Sequence, residues 1–445
     1  MESMSQTQLS PASQSSDTRA ARKTWSVAIV GFGTVGSSVA RILCDHPSLG
    51  LNLTHICNRN ISRKKVDWLP ATVQWTENFQ DVLSSDVDIV VEVMGGLDPT
   101  EDWVRRALSA GKSVVTANKQ LISRCGSSLI DLAHKMRQEI FFGASVAGGV
   151  PVISGLQEGL AGDRLFRICG ILNGTCNYIL SQIESNGVSF ETALREAQKL
   201  GFAEADPTED IEGLDARAKL TILARVALHC NLEATSILNR SISAIDSVDF
   251  EYANRLGCTI RQISLAELKG DQLFAAVQPA LVELASPLAR VEGSQNLVMA
   301  TGAYGGETVF GGHGAGGHPT AVAVVSDILG IARSKRTTID STTHATEIAP
   351  QVTSDFTTRH YLRFLVKDRP GIIATLATIL ADFSINIESV LQKPGSPKSH
   401  LPLLITLEDC EASRVEQALK KIAPLDFQVQ QCLHLPILAG GLQSK

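Results

Sequence analysis

The 445-residue chain lacks the features that mark several protein classes. No apolar run is long enough to cross a bilayer, and no apolar segment near the start has the character of a secretory signal. Its nine cysteines are odd in number and include no CxxC pair, which favours reduced thiols in the cytoplasm over a disulfide framework or a zinc site. With 46 acidic and 40 basic residues, the chain also lacks the basic excess of proteins whose partner is nucleic acid or a membrane surface.

What is present predicts two or three domains, because a chain of this length exceeds one ordinary core. Residues 1–24 are rich in Ser and Gln and nearly devoid of apolar side chains, so we expect a disordered tail. An organelle transit peptide is the alternative, since the segment is Ser-rich and poor in acids. The arginines come late and no amphipathic face is present, which favours the tail.

The first motif is "GFGTVG", which follows the apolar run "SVAIV" and precedes the predicted helix "SSVARIL". In a strand, turn and helix of this kind, Gly31 permits the turn, Gly33 lets the backbone approach a pyrophosphate, and Gly36 lets helix and strand pack closely. The pattern predicts a dinucleotide site. We assign to it the whole turn: Gly31, Phe32, Gly33, Thr34, Val35 and Gly36.

The second predicted strand, "LNLTHIC", indicates which dinucleotide is bound. A free ribose 2′-hydroxyl usually meets an acid about 20 residues beyond the glycines. Here Asn58 and Arg59 stand in that region, and residues 63–65 add three more bases. A solvated basic loop is the alternative, but the missing acid and the bases favour NADP(H), with NAD(H) as the second choice.

Strands and helices continue to alternate through "VDIVVEVMGG", "PTEDWVRRALSAGK" and "SVVTANK", which is typical of a doubly wound parallel sheet. Ligands of such sheets bind at the carboxyl ends of the strands. We therefore expect Thr116 and Lys119 at the edge of the cofactor. Further along, "NGT" precedes a helical pattern, so Asn173 and Gly174 are candidates to line a pocket with backbone donors, and Thr175 could cap the helix.

Residues 201–220, "GFAEADPTEDIEGLDARAKL", concentrate carboxylates just before a lysine. Pro207 and Gly213 predict an irregular loop, followed by a helix from Leu214. On that helix Asp215 and Lys219 are i, i+4 neighbours. A surface ion pair and a substrate pocket both fit the spacing, whereas the rhythm of a calcium loop is absent. Periodicity alone does not decide between the first two.

Taken in order, GFGTVG, VVTANK, ASVAGGVPVI, NGTCNYIL, the acidic stretch and GHGAGGHPTAVAVVSDI resemble homoserine dehydrogenase of the bacterial form with a C-terminal ACT domain. The resemblance spans residues 26–438. It implies reversible NAD(P)-dependent interconversion of L-aspartate 4-semialdehyde and L-homoserine, in the route to threonine and methionine. Two alternatives stay open: an oxidoreductase of another amino-acid aldehyde, and a non-catalytic amino-acid sensor.

The resemblance also implies residue roles. Lys219 is the proton donor and acceptor, and Lys119 lies between cofactor and substrate. Substrate contacts fall to Glu204, Asp215, Gly174 and Thr175. Further cofactor contacts fall to Gly201, Gly314 and Gly316.

Two positions depart from the family pattern. Gly143 replaces a common Glu of a monovalent-cation site, which puts a Na+ or K+ ion held by the carbonyls of Val146, Gly148 and Val150 in doubt. Phe202 stands where many relatives have Tyr.

The domain organisation follows from these motifs. We expect a Rossmann-type domain over residues 25–142 completed by 311–336, an α/β substrate and dimerisation domain over 143–310, and a linker over 337–358. The pattern of residues 359–438 predicts a βαββαβ ACT domain that senses a small molecule. The alternative is a ferredoxin-like domain with a purely structural role. The resemblance implies a homodimer or homotetramer, and the pathway suggests L-threonine as effector.

Overall fold

The computed structural model describes residues 24–334, 350–393, 395 and 397–438. Apart from Thr24, the predicted tail lies outside the described residues, and so do residues 335–349 of the predicted linker.

The first domain is a six-stranded parallel sheet of order β3-β2-β1-β4-β5-β6. Its strands are β1 Trp25–Val30, β2 Leu51–Cys57, β3 Gln74–Thr76, β4 Ile89–Glu92, β5 Ser113–Thr116 and β6 Ile140–Phe141. Its helices are α1 Thr34–Asp45, α2 Phe79–Ser84, α3 Thr100–Ser109 and α4 Lys119–Lys135. The predicted doubly wound sheet is confirmed. Successive strands are added in one direction from β1 to β3 and in the opposite direction from β4 to β6, so the strand order reverses between β1 and β4, where such sheets bind their ligands.

The second domain combines a mixed sheet with packed helices. Its helices are α5 Val152–Ser154, α6 Gly174–Asn186, α7 Phe190–Lys199, α8 Thr208–Ile211, α9 Leu214–Leu228, α10 Ser247–Arg255 and α11 Gly317–Ser334. Its strands are β7 Leu165–Ile171, β8 Leu238–Asn239, β9 Cys258–Lys269, β10 Gln272–Glu283, β11 Gln295–Gly302 and β12 Gly306–His313.

Helix α11 returns to the first domain and packs on α1. A Cβ atom on Gly317 would lie 2.8 Å from Thr34 Cγ2, so the glycine permits this approach. Alternate residues of β1 serve the two faces of the sheet: Ala28 and Val30 join the core with α3 and α4, while Val27 and Ile29 join the core with α1 and α11. Both faces are therefore covered, which is why β1 and β4 are mostly apolar, with Ser26 and Glu92 as their polar residues.

The acidic stretch differs from its prediction in two ways. The loop after Pro207 contains one helical turn, α8, because the proline fixes a backbone angle suited to the start of a helix. Helix α9 begins at Leu214 as predicted but is buried on most sides, since α4, β7 and β9 all contact it. Asn173, not Thr175, caps α6, because its side chain accepts from the backbone N–H of Cys176.

The C-terminal residues form the predicted βαββαβ module. Its elements, preceded by the short strand β13 Gln351–Thr353, are β14 Thr357–Val366, α12 Ile372–Asp382, β15 Ile387–Gln392, β16 Leu401–Glu411, α13 Ala412–Ile422 and β17 Leu433–Leu438. The order β17-β14-β16-β15 is that of a ferredoxin-like sheet. Within the predicted linker, β13 pairs in parallel with β10, so residues 351–353 are part of a sheet.

The module is continuous with the second domain. Strand β17 pairs in parallel with β10 at Leu281 and Val282, which joins the two sheets. Buried Asp249 of α10 accepts hydrogen bonds from Tyr361 and Arg363 of β14, each at 2.7 Å. Because a buried carboxylate needs such partners, this contact fixes how the module sits on the second domain.

Two buried histidines continue the junction. The Nε2 of His434 lies 3.0 Å from Nδ1 of His360, whose Nε2 lies 3.0 Å from the Cys410 carbonyl, and Arg240 Nη1 lies 3.3 Å from Nδ1 of His434. With both rings neutral, each N–H has an acceptor in this chain of contacts. Burial lowers the pKa of both rings, and the facing His360 and Arg240 lower that of His434 further.

We expect the unfolding free energy to fall as the pH drops below about 6.5. Because both folded-state pKa values are lowered, the unfolded chain binds more protons there, at up to about 1.4 kcal/mol per pH unit for each histidine. Urea denaturation at pH 7.5, 6 and 5 measures this slope. The His434→Gln variant should show a shallower slope. An unchanged slope would assign the acid sensitivity to other groups.

Candidate active site

The glycine turn has the geometry that a pyrophosphate requires. Gly31 has φ +102°, and a Cβ there would lie 2.8 Å from the Val93 carbonyl oxygen. A Cβ on Gly36 would collide with the Gly31 carbonyl. The side of Gly33 is open, since a Cβ at that position would have no neighbouring atom within 4 Å, and α1 begins there without a side-chain cap. The first amides of α1 are thus available to an anion, so the residues fit a dinucleotide.

The neighbouring side chains divide between core and surface. Phe32 is buried against Trp68 and Trp75, and its backbone N–H donates to Asn58 Oδ1 at 2.8 Å. A cofactor contact at Phe32 would therefore involve the backbone. Arg59 is exposed just beyond β2, as are the bases at 63–65. The turn and the basic segment are joined directly by the Asn58 hydrogen bond.

A buried acid that sequence reasoning missed lies at the end of β4. Glu92 accepts from Thr116 Oγ1 at 2.5 Å and from the backbone N–H groups of Met94 and Gly95. Burial raises its pKa, against the lowering effect of these bonds. The hydroxyl of Thr116 is thus occupied by Glu92, so any cofactor contact at Thr116 would come from its backbone. A charge within the apolar run "VVEV" was the available signal.

The two predicted lysines meet at one carboxylate. Lys119, the first residue of α4, places Nζ 2.6 Å from Asp215 Oδ1, and Lys219 places Nζ 2.7 Å from Asp215 Oδ2. Lys219 also donates to the Leu172 carbonyl at 2.8 Å. Asp215 is only 5% exposed, so the pair is not the surface ion pair that the spacing equally allowed.

Electrostatics keep this group ionised. Burial raises the pKa of Asp215, but Lys219 and Lys119 lower it more, and the result lies well below the usual range. Burial lowers the pKa of Lys119, and Asp215 more than reverses this. The site therefore holds a carboxylate between an ammonium group from each domain.

Two further side chains complete the group. Asn173 donates from Nδ2 to Asp215 Oδ2 at 2.9 Å and to Asp210 Oδ1 at 2.6 Å. Burial raises the pKa of Asp210, the Asn173 bond opposes this, and nearby Asp215 adds to it. Asn173 was expected to line a pocket only through its backbone, and Asp210 was not among the predicted site residues. The helix-capping preference of Asn in "NGT" was a local signal for Asn173, and the acidic stretch was one for Asp210. Only the fold places both side chains next to Asp215.

The other predicted substrate residues are less tightly placed. Among the described residues, none forms an ion pair or side-chain hydrogen bond with the exposed carboxylate of Glu204, so it is not joined to the lysines here. A Cβ on Gly174 would lie 2.6 Å from the Ser294 carbonyl oxygen, and Thr175 donates to the Phe202 carbonyl at 2.7 Å. Gly201 is exposed, with φ +77°.

Comparisons with known proteins divide the chain into the same three domains as the structure. Family models match at residues 31–143 (homoserine dehydrogenase, NAD-binding domain), 151–329 (homoserine dehydrogenase) and 360–427 (ACT domain). The homoserine dehydrogenase of Neisseria gonorrhoeae is 35% identical, with 94% of this chain and 98% of the relative aligned. The Bacillus subtilis enzyme is 37% identical, over 83% and 87% of the two chains.

The chain belongs to the homoserine dehydrogenase family. It is an NAD(P)-dependent oxidoreductase acting on a CH–OH group. A solved homoserine dehydrogenase from Thiobacillus denitrificans superposes with TM-score 0.87 at 33% identity, covering 94% of this chain and 99% of that one. A hyperthermophilic archaeal homoserine dehydrogenase in complex with NADPH gives TM-score 0.61 at 29% identity, with 70% and 98% covered.

At Gly143, where the resemblance led us to expect a Glu, the structure brings in a carboxylate from another element. The Gly143 N–H donates to Asp327 Oδ2 of α11 at 2.7 Å, and a Cβ on Gly143 would lie 2.7 Å from Asp327 Oδ1. The acid beside this turn thus comes from α11 instead of residue 143. Burial raises the pKa of Asp327 to about 7, opposed by the Gly143 and Ala144 amides.

The neighbouring turn is tightly built. Val146 and Val150 are buried, Gly148 has φ +49°, and the Val150 carbonyl accepts from the Val152 N–H at 2.7 Å. A Cβ on Gly148 would lie 2.7 Å from the Gly314 carbonyl oxygen, so the second glycine segment packs directly on this turn. Gly316 has φ +113°, which only glycine adopts readily. Within the described part of the chain, no cluster of three His, Cys, Asp or Glu side chains could hold a metal.

Phe202, where the resemblance led us to expect a Tyr, follows helix α7. Its ring lies 4.7 Å from that of Tyr178 and is partly exposed.

Over the described residues, no helix is long and apolar enough to cross a membrane.

Proposed function

We propose that this enzyme reduces L-aspartate 4-semialdehyde to L-homoserine with NADPH in the cytoplasm, as a homodimer or homotetramer inhibited by L-threonine. The observation that carries the catalytic part is the buried Asp215 carboxylate bound by Lys119 and Lys219. It lies between the domain that fits a dinucleotide and the domain matched by the homoserine dehydrogenase family.

Lys219 is proposed as the proton donor. Two of its three N–H groups are used by Asp215 and the Leu172 carbonyl, so one remains for the substrate oxygen. A bound nicotinamide supplies the hydride. The ammonium group of Lys219 then stabilises the negative charge that develops on that oxygen and gives it a proton.

Lys119 and Asp215 set up this arrangement. Asp215 holds both ammonium groups in place, and Lys119 retains free N–H groups at the domain boundary, where a substrate carboxylate or oxygen can bind. Glu204 is exposed on the loop before α8, so its proposed role as ligand of the substrate ammonium requires that loop to close over the substrate. Gly174, Thr175 and the glycines at 201, 314 and 316 are proposed as backbone contacts.

The first assay is NADPH oxidation with L-aspartate 4-semialdehyde, together with the reverse reaction on L-homoserine. Turnover with these substrates and little with L-glutamate 5-semialdehyde supports the proposal. Preference for the longer aldehyde would favour the alternative oxidoreductase. No turnover with either aldehyde, while NADPH still binds, would favour the sensor.

We expect Arg59→Ala to lower kcat/KM for NADPH by about 10- to 100-fold and to leave NADH almost unaffected. The reason is that the exposed guanidinium can form a charge-assisted bond, of about 1.5–3 kcal/mol, to a 2′-phosphate that NADH lacks. Steady-state rates with both cofactors measure this. Arg124→Ala, an exposed arginine on α4, is the matched control. Equal losses for both cofactors would contradict the assignment.

A monovalent cation is proposed at the carbonyls of Val146, Gly148 and Val150. The support is the tight turn and the carboxylate of Asp327, which contacts the same segment at Gly143. Rates measured in Na+, K+ and tetramethylammonium salts at constant ionic strength test it. Equal rates in all three would argue against a bound ion that the reaction requires.

A further inference from the structure

An open cavity of about 500 Å³ lies where the ACT domain meets the second domain. Arg240 and Ala244, which follow β8, line one side, and Glu416 and Lys420 of α13 line the other, with Gln428 and His434 beside them. This volume is within the range of small-molecule sites, about 300–1,000 Å³. Neither the cofactor turn nor the lysine site contributes to its lining.

The charges on its wall suit a small zwitterion. Arg240 Nη2 donates to Glu416 Oε1 at 2.6 Å, and Lys420 is exposed on the same helix face, one turn further along. A ligand carboxylate can bind Arg240 and Lys420, while a ligand ammonium group can bind Glu416. A phosphate ester would meet the Glu416 carboxylate and is disfavoured. The wall therefore matches an α-amino acid.

The segment that carries Arg240 also contacts the acidic stretch of the active site. Asn239 donates from Nδ2 to the Glu212 carbonyl, and both Ser241 Oγ and the Ile242 N–H donate to the Ile211 carbonyl at 3.3 Å. Ile211 and Glu212 lie between Asp210 and Asp215 in the chain. Residues 239–242 are thus bonded on one side to the ACT domain and on the other to the turn that presents these carboxylates.

We propose that this cavity binds the amino-acid effector, and that residues 239–242 transmit its binding to the turn bearing Asp210 and Asp215. The inference rests on the proposed amino-acid regulation and adds its location and route. A ligand bound between Arg240 and Glu416, with its carboxylate on the first and its ammonium group on the second, separates the two side chains and shifts the segment. That shift displaces the Ile211 and Glu212 carbonyls, to which the segment is hydrogen-bonded. The displacement of this turn then moves Asp215, whose carboxylate binds both lysines.

Each standard L-amino acid is titrated into the full-length enzyme by calorimetry, and its effect on NADPH oxidation is measured in parallel. For the amino acid that inhibits, Glu416→Gln and Lys420→Met should each bind at least about tenfold more weakly, because each loses one charged contact. The rate of Lys420→Met without effector should be unchanged, since Lys420 lies away from the lysines and is not part of the Arg240–Glu416 pair. Asp426→Asn, which breaks the exposed Arg369–Asp426 pair elsewhere in the ACT domain, should bind normally.

The outcomes separate this inference from the proposed regulation. If no amino acid binds or inhibits the unmodified enzyme, amino-acid regulation itself is wrong. If one inhibits, but both cavity variants bind it normally, the regulation stands and the cavity is not its site. For the route, Ser241→Ala should retain affinity but show weaker maximal inhibition, and full inhibition in that variant would overturn transmission through residues 239–242.

Discussion

Replacing Lys219 with alanine should lower kcat by about 10²- to 10⁴-fold, the usual contribution of a positioned general acid. Its ammonium group is fixed by Asp215 and the Leu172 carbonyl, with one N–H left over. NADPH affinity should change little, because no contact links Lys219 to the glycine turn within the described residues. Single-turnover NADPH oxidation and fluorescence titration of NADPH measure the two quantities separately.

The matched control is Lys199→Ala, which removes an exposed lysine at the end of α7. Its kcat should equal that of the unmodified enzyme. Full activity in Lys219→Ala would remove Lys219 from the chemistry and leave Lys119 as the remaining amine at the site. A parallel loss of NADPH binding would instead indicate that Lys219 maintains the domain interface.

Replacing Asp215 with asparagine should reduce both activity and stability. The amide leaves two ammonium groups side by side without their shared carboxylate, and breaking a buried pair in this way costs about 3 kcal/mol of unfolding free energy. We expect kcat/KM to fall by about 10²-fold or more, because both lysines lose the contact that positions them. Urea denaturation and steady-state kinetics well below the melting temperature measure the two effects.

Asp206→Asn is the control from the same acidic stretch. Asp206 is exposed, and among the described residues its side chain bonds only to nearby Thr208, so this variant should retain both stability and activity. If Asp215→Asn behaves like Asp206→Asn, Asp215 is not the common anchor of the lysines. If stability falls but kcat does not, its role is structural alone.

The parts of the molecule that were predictable from sequence depend on local chemistry. The glycine turn could be predicted because its requirements act within a few residues. Gly31 adopts a positive φ, and Gly36 must lack a Cβ because the Gly31 carbonyl packs against it. The order of strands and helices in the parallel sheet and in the ACT domain follows from apolar periodicity in the same way. The start of α9 at Leu214 was also determined locally, by Gly213.

The burial and pairing of the carboxylates and lysines could not be predicted from local sequence. The i, i+4 spacing of Asp215 and Lys219 is the same for a surface pair and for a buried one, and only the packing of α4, β7 and β9 around α9 excludes water from it. Lys119 reaches Asp215 from another domain, and Asp327 reaches Gly143 from α11. Sequence alone thus determined the turns, the element order and the family resemblance. Burial and long-range pairing, which govern the strength of every charge at the site, were decided by the tertiary structure, because both depend on residues far apart in the chain.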